Sequence, residues 1–172
     1  MAQFRITQKF ATDYKIKILA EPKQTNNIFD DWVIDRLIVK RKKVAMITHI
    51  RTVYTWLIPY SSVGGVKNIP NVLPSLLQEF LHRNDFMTLT GEMEDTFKLP
   101  HSFCKTQSRR VVGHMTDFKH QVNIYCYYSQ HFEDINWKEI ADRINDTPIG
   151  VKRYINAREL FYEQLIAATS GV

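Results

Sequence analysis

The spacing of hydrophobic residues changes along the chain, from alternation near the N-terminus to helical periods after residue 70. Phe4 and Ile6 alternate with polar neighbours, which predicts a short first strand. From Trp32 to Tyr60 the composition shifts to β-branched and aromatic residues, interrupted by the polar run Lys40 to Lys43. This pattern predicts a hairpin followed by a third strand, that is, an antiparallel β-meander.

Helical spacing occurs in three longer segments. The first, Lys9 to Ile18, has apolar residues about one turn apart. In the second, Pro74 is predicted in the first turn, where a missing amide is harmless. The third begins after Ser108, a predicted N-cap, and runs to Tyr128. The predicted buried stripes are Leu73, Leu76, Leu77, Phe80 and Leu81 in the second helix and Val111, Met115, Phe118, Val122 and Tyr125 in the third.

Two further helices have well-specified starts. Asn136 and Glu139 have the spacing of a capping box, and Asn156 and Glu159 repeat it. Such an N-cap typically contributes about 1 kcal/mol, enough to fix where a helix begins. Residues 84–107 show no clear period, and we expect them to be mostly irregular. The whole pattern predicts an α+β fold, in which an early antiparallel β-meander packs against several α-helices in a single domain over residues 1–172.

Composition places the chain among ordinary globular proteins, because 44% hydrophobic and 24% charged residues exclude a disordered class. No stretch approaches the roughly 18 apolar residues that a membrane span needs, and the N-terminus lacks the apolar run of a signal peptide. Cys104 and Cys126 have no partner at zinc-finger spacing and are typical of reduced thiols. We therefore expect a cytoplasmic protein with no membrane association, no metal site and no cofactor.

The net charge of +5 includes a strongly basic segment. From Asp35 to Arg51, six cations less one carboxylate give a local charge of +5. This basic patch consists of Arg36, Lys40, Arg41, Lys42, Lys43 and Arg51. It is suited to contacts with phosphates or with an acidic partner surface. A solvated hairpin tip would have the same composition.

A second candidate site lies on the third helix. Arg110, His114, Asp117 and Gln121 are spaced four, three and four residues apart, which aligns them in a polar stripe along one helical face. A carboxylate one turn from an imidazole can orient it, and an arginine on the same face can bind an anion. The stripe, preceded by Arg109, fits ligand recognition or acid-base chemistry. It equally fits a structural network that ties the helix to a neighbouring loop.

Gly113 and the six histidines add little chemistry. A glycine in a helix interior costs about 1 kcal/mol relative to alanine, which predicts a close approach there, with Trp32 or Trp56 as the large neighbour. No histidine pair has the helical spacing of a zinc site with an accompanying glutamate. A nucleophile–base pair of Cys104 and His101 is disfavoured, because no third group is placed to orient it.

Several short motifs together resemble a family of small uncharacterised bacterial proteins, a domain of unknown function. The matching segments are Phe4-Arg5-Ile6-Thr7-Gln8-Lys9, Asp31-Trp32, Arg110-x-x-Gly113-x-Met115-x-Asp117 and Asn145-x-Thr147-Pro148. The resemblance implies one domain of bacterial or phage origin. It implies no activity.

The leading functional hypothesis is a non-enzymatic binding protein that engages nucleic acid or a protein, in a mobile-element or defence setting. The predicted binding residues are those of the basic patch together with Arg109, Arg110 and Gln121. The alternative is a small hydrolase or nuclease that uses Arg110, His114 and Asp117. A third hypothesis, a structural subunit, predicts an exposed apolar patch around Phe132, Trp137 or Phe161.

Overall fold

A computed structural model describes residues 1–17, 20–150 and 155–170. Within them the chain forms five strands and six α-helices. The strands are β1 (Gln3–Ile6), β2 (Asp31–Val39), β3 (Lys42–His49), β4 (Thr55–Pro59) and β5 (Ser102–Lys105). The helices are α1 (Gln8–Tyr14), α2 (Ile69–Arg83), α3 (Thr90–Lys98), α4 (Arg109–Tyr127), α5 (Trp137–Asn145) and α6 (Ala157–Thr169).

The strands form one mixed sheet in the order β4-β3-β2-β1-β5. Antiparallel pairing joins β2, β3 and β4, which confirms the predicted meander. The first strand lies between β2 and β5 and is parallel to both. The α+β fold predicted from the pattern is therefore confirmed, with β4 and β5 as the two edge strands.

Alternate residues of each strand point to opposite faces of the sheet. Both faces carry apolar side chains, and helices cover both. One face is rich in aromatic residues, with Phe4 and Trp32 packed against α1, α2, α3 and α6. The other face is mainly aliphatic, with Val33 and Met46 packed against α4 and α5. The two hydrophobic cores that result hold the edge strand β4 between α2 on one side and α5 on the other.

Local sequence signals set several helix ends where they were predicted. The Ser108 hydroxyl accepts from the Val111 amide at 3.3 Å, so α4 begins one residue later. Asn156 and Glu159 form both bonds of a capping box at α6. Asn136 accepts from the Glu139 amide at 3.1 Å, while the Glu139 carboxylate pairs with Arg143 instead of returning to the cap.

Other expectations were wrong in position. The first-turn proline of α2 is Pro70, and Pro74 lies further inside the helix. The first helix ends at Tyr14, where Lys15 takes a left-handed conformation, and the predicted end at Ile18 lies outside the described residues. On α4 the last buried position is Cys126, whereas Tyr125 is 37% exposed.

Residues 84–107, predicted to be mostly irregular, contain both α3 and β5. Helix α3 buries only Met93 and Thr96, so its apolar pattern is sparse. Strand β5 has four residues and is needed to pair the free edge of β1, a non-local requirement that leaves no period in the sequence.

Gly113 does not mark a close approach, which corrects the packing prediction. It is exposed, and an added Cβ would meet no atom within 4 Å. Trp32 and Trp56 belong to the aromatic face, on the opposite side of the sheet from α4. None of the described helices is long and apolar enough to cross a bilayer.

Candidate binding site

The polar stripe of α4 is placed as predicted, but its members make separate contacts. The Arg110 guanidinium donates to two main-chain carbonyls of the β3–β4 connection, Ile50 at 3.3 Å and Arg51 at 2.7 Å. Gln121 accepts from the Thr147 hydroxyl at 2.9 Å. In the described part of the chain, Arg110 and Asp117 form no ion pair with each other. These contacts tie α4 to its neighbours.

His114 lies between the two charged members of the stripe and is half-buried. Burial lowers the pKa of its imidazole, the Arg110 charge lowers it further, and the Asp117 charge opposes them. The imidazole is thus favoured in its neutral form at pH 7. Neither of the two cavities described below is lined by Arg110, His114 or Asp117, so the hydrolase alternative gains no support and stays a prediction.

The basic patch is largely occupied by internal contacts. Arg36 and Lys43 share the Asp13 carboxylate, at 3.0 and 2.7 Å. Lys42 pairs with Glu133. The Arg51 guanidinium donates to the carbonyls of Thr25 at 3.1 Å and Asn27 at 3.0 Å. These four cations are therefore engaged in structural contacts.

Lys40 and Arg41 form the hairpin turn, both with positive φ, and neither makes an ion pair with any residue that the structure describes. Arg109 is exposed at the start of α4. Of the predicted binding cations, Lys40, Arg41 and Arg109 are thus the ones left for contacts with nucleic acid. Binding of nucleic acid stays a prediction, and the internal contacts of the other cations reduce its support.

The other expected surface and metal features can be placed too. Phe132 and Phe161 are buried and Trp137 is partly buried, so the predicted apolar patch is not exposed. The exposed aromatic residues are instead Tyr125, Tyr127 and Tyr128 near the end of α4. Within residues 1–17, 20–150 and 155–170, no cluster of three or more histidine, cysteine, aspartate or glutamate side chains could hold a metal ion.

The free edge of β4 offers a different site, which follows from the pairing register. The His49 amide donates to the Tyr54 carbonyl at 2.8 Å, and the register continues with Thr48 opposite Thr55 and Met46 opposite Leu57. In an antiparallel ladder, hydrogen-bonded and non-hydrogen-bonded pairs alternate. The main-chain groups of Thr55, Leu57 and Pro59 therefore point away from β3, toward the open edge.

Side chains close this edge at both ends. Asn145 accepts from the Thr55 amide and donates to the Thr55 carbonyl, both at 2.8 Å, and so imitates a paired strand residue. Pro59 has no amide hydrogen, and its carbonyl accepts from the Ser62 hydroxyl at 2.8 Å. Between them, the amide and carbonyl of Leu57 have no hydrogen-bond partner among the described residues. One complete main-chain donor and acceptor pair is therefore left without a partner, on a residue that is 5% exposed.

Leu57 lies in the wall of a cavity of about 430 Å³, which we call the edge groove. Its floor is β4, one wall is α2 with Leu76 and Phe80, and the other wall is α5 with Trp137 and Ala141. The volume lies in the range of typical ligand sites, and the lining is mostly apolar with a few polar groups, as in such sites. A second cavity, of about 220 Å³, is lined by Arg51 and Glu92 at a different place.

Charged side chains surround the edge groove. At its mouth the Lys138 ammonium of α5 lies 3.1 Å from the Glu79 carboxylate of α2, and both side chains are more than half exposed. Further along, Arg158 is held by Asp142 at 2.9 Å and Asp146 at 2.6 Å. The mouth is therefore crossed by one exposed ion pair, and at the far end Arg158 is shared by two partly exposed carboxylates.

Tyr54 lies at the far end, where it is only 4% exposed and lines the groove. Burial raises the pKa of its phenol well above the usual range, so the hydroxyl is a neutral donor. It makes no hydrogen bond to any residue that the structure describes. The sequence does not reveal this groove, because an unpaired main-chain donor and acceptor have no residue signature. Asn145, inside the Asn-x-Thr-Pro motif, was its one visible signal.

The chain belongs to the family described as "Domain of unknown function (DUF6933)", whose model matches residues 3–160. This confirms the resemblance drawn from the short motifs. The match covers β1 to β5 and the edge groove. Comparisons with curated proteins and with solved structures gave no match.

Proposed function

We propose that the protein is a non-enzymatic binding protein whose edge groove takes up a short extended segment of a protein partner. The observation that carries the proposal is the open amide and carbonyl of Leu57, at the floor of a walled groove. An incoming strand that donates to the carbonyl and accepts from the amide would complete the ladder at this position. Addition of a strand to a sheet edge is a recurring mode of peptide recognition.

The groove limits what can enter. From Thr55 to Pro59 the edge is about 13 Å long, at about 3.3 Å per residue. Asn145 occupies one end and Ser62 the other, so a segment of about three to four residues can lie against β4. Side chains of alternate residues would contact Phe80 on the α2 wall and Trp137 on the α5 wall. Main-chain pairing would supply affinity, and the walls would supply specificity.

Peptides that the immobilised protein selects from a displayed library of random heptapeptides serve as the probe. Each amide of a selected peptide is then methylated in turn, and affinity is measured by fluorescence anisotropy. We expect one N-methyl position to weaken binding about tenfold or more, because it removes the donor to Leu57 and adds bulk at the ladder. Its two neighbours, whose amides point away from β4, should change affinity less than threefold.

Blocking variants give a second measurement. Ala141→Trp places a large side chain in the groove, and Ala167→Trp places the same side chain on exposed α6 as the matched control. We expect loss of peptide binding only in the first variant, with unchanged circular dichroism in both. Selected peptides that bind both variants equally, or an N-methyl scan without alternation, would overturn the proposal.

Salt separates this proposal from nucleic-acid binding. Pairing of main-chain groups is expected to depend weakly on salt, whereas phosphate contacts release counterions and weaken steeply as salt rises. A labelled single-stranded oligonucleotide titrated at about 50 mM and 200 mM salt measures the second mode directly. Tight, salt-sensitive binding of that probe in the absence of peptide binding would favour the basic patch over the edge groove.

A further inference from the structure

Two exposed features lie outside the edge groove, the tip of the β2–β3 hairpin and the end of α4. Lys40 and Arg41 form the tip and make no ion pair with any residue that the structure describes. Tyr127 and Tyr128 are 76% and 87% exposed. We call these four residues the tip surface. None of them lines the edge groove.

Contacts of the hairpin place its tip beside the end of α4. The Lys42 ammonium pairs with Glu133 and lies 5.1 Å from the centre of the Phe132 ring, in the turn that follows α4. Burial raises the pKa of the Cys126 thiol, and the Lys40 charge acts on it in the opposite direction. Such an effect requires the two groups to be near each other. The cations of the tip and the tyrosines of α4 therefore lie on one side of the molecule.

The residues at the tip are unusual for the conformation that they adopt. The turn between β2 and β3 has two residues, with φ of 46° at Lys40 and 66° at Arg41. Positive φ at both positions is typical of a type I′ turn, which favours Asn-Gly because a Cβ crowds the main chain there. The chain instead places two long cations at this strained, exposed turn. Strain of this kind is concentrated at functional positions.

The charge around the tip favours an anionic partner. From Arg36 to Lys43 the hairpin has five cations. Asp13 pairs with two of them and Glu133 with one, and Asp134 follows Glu133, so five cations less three carboxylates leave a charge of +2. A second copy of the chain docked here by a twofold axis would bring like charges together, which disfavours a dimer contact.

The two tyrosines add planar groups to this charge. Their ring centres lie 5.1 Å apart and their planes are at 89°, so both rings keep a face open to solvent. Open aromatic faces beside cations are the combination by which proteins bind single-stranded nucleic acid, because bases stack on the rings and phosphates contact the cations. An acidic peptide or an anionic membrane would need the cations alone.

We infer that the tip surface binds single-stranded nucleic acid, with bases stacked on Tyr127 and Tyr128 and phosphates held by Lys40 and Arg41. Stacking accepts every base, so we expect little sequence preference. This is a second binding activity. It does not depend on the proposed function, because the tip surface and the edge groove share no residue.

Three labelled probes of similar length separate stacking from charge. They are an oligothymidylate of about 12 nucleotides, an abasic sugar-phosphate strand and polyglutamate, each titrated with the full chain at about 50 mM salt and followed by fluorescence anisotropy. We expect the oligothymidylate to bind about tenfold tighter than the other two, because it alone has bases that can stack.

Substitution of the tyrosines tests the stacking. Tyr127→Leu with Tyr128→Leu keeps apolar bulk but removes the flat rings. This variant should bind oligothymidylate about tenfold more weakly and the abasic strand with unchanged affinity. Tyr127→Phe with Tyr128→Phe retains the rings and should bind both strands like the unmodified protein. A merely structural role of the tyrosines would not distinguish the two strands.

Substitution of the turn tests the cations. Lys40→Asn with Arg41→Gly supplies the residues that this turn favours, so the variant should unfold at the same or a higher temperature than the unmodified protein. Its affinity for both strands should fall, and the slope of log K against log salt should become less steep by about 1.4, as for two lost phosphate contacts. Lys98→Gln with Lys105→Gln, at exposed positions of α3 and β5, is the matched control and should leave the slope unchanged.

Several results would overturn the inference. They are no binding of oligothymidylate at low salt, equal binding of oligothymidylate and the abasic strand, and equal loss of affinity in the turn variant and its control. Polyglutamate bound as tightly as oligothymidylate would assign the surface to an acidic protein instead. Peptides selected for the edge groove should bind all tip variants unchanged, so the failure of one proposal is distinguished from the failure of the other.

Discussion

The two edges of the sheet are closed in different ways. At β5 the outer edge is met by main chain, because Ala20 forms a parallel bridge with Cys104. At β4 the edge is closed by the side chains of Asn145 and Ser62, which occupy Thr55 and Pro59 and leave Leu57 between them. Unprotected edges invite pairing with other chains, so natural proteins cover them. An edge covered by separate side chains can leave a gap of defined length, and this gap is where we place the partner.

Opening the β4 edge fully should have the largest effect. Asn145→Ala removes both bonds to Thr55 and leaves a main-chain donor and acceptor without partners in a buried place. We expect the free energy of unfolding to fall by about 2 to 4 kcal/mol. The longer open edge should also cause concentration-dependent self-association. Urea denaturation and light scattering measure the two effects.

Asn136→Ala is the matched control, since it removes an N-cap of the same helix without touching β4. Its expected cost is about 1 kcal/mol, with no self-association. Equal costs for the two variants would show that Asn145 acts only as part of α5 and does not close the edge.

Acid should loosen the end of β3, where His49 is fully buried. Burial, aided by the Arg51 charge, lowers the pKa of this imidazole from 6.5 to about 3. The unfolded chain therefore takes up a proton below about pH 6.5 that the folded protein does not. Stability should fall by about 1.4 kcal/mol per pH unit from there to about pH 3, or about 2 kcal/mol at pH 5.

The contribution of His49 is isolated by comparing pH slopes. Carboxylates and the remaining histidines titrate in both the unmodified protein and His49→Gln, so the difference between their slopes reports the one imidazole. Urea denaturation between pH 4 and pH 7 provides the data. Parallel curves for the two proteins would contradict a buried neutral His49.

Gly113→Ala separates edge effects from overall stability. The site is exposed and open, so alanine should stabilise α4 by about 1 kcal/mol without a clash. Added to Asn145→Ala, it should recover that amount of stability while self-association persists. Loss of self-association in the double variant would mean that partial unfolding, and not the open edge, causes it.

The ion pair at the groove mouth should have the smallest effect. A segment reaching Leu57 must pass between α2 and α5, where Lys138 and Glu79 meet. Glu79→Gln breaks this exposed pair, worth about 0.2 to 1 kcal/mol, together with the exposed pair of Glu79 with Arg83 within α2, so peptide affinity should rise about twofold to threefold at low salt. Glu139→Gln, which breaks an exposed pair within α5, should leave affinity unchanged.

Local signals explain which parts of the fold could be predicted. The caps at Ser108 and Asn156 depend on residues three positions apart, so sequence alone reveals them. The α+β class followed from periods within single segments. Strand β5 was missed because its partner Phe4 lies about one hundred residues earlier and is joined to it only by main-chain pairing.

The candidate site was harder to predict from the sequence for a related reason. Helical spacing correctly aligned Arg110 and Gln121, but the acceptors that Arg110 reaches are carbonyls, which every residue has. The edge groove depends on which way the Leu57 amide points, and that is set by the register with Met46. Such information arises from tertiary pairing, so the stripe was visible in the sequence and the groove was not.

The position of β1 between β2 and β5 has a consequence for synthesis on the ribosome. The hairpins of β2, β3 and β4 join neighbouring segments and can form as soon as Pro59 has emerged. The first strand, although made earliest, gains its second neighbour only after Lys105 leaves the exit tunnel. Until then a nascent chain presents one half-paired parallel strand, and this interval is when the N-terminus is most exposed to chaperones and proteases.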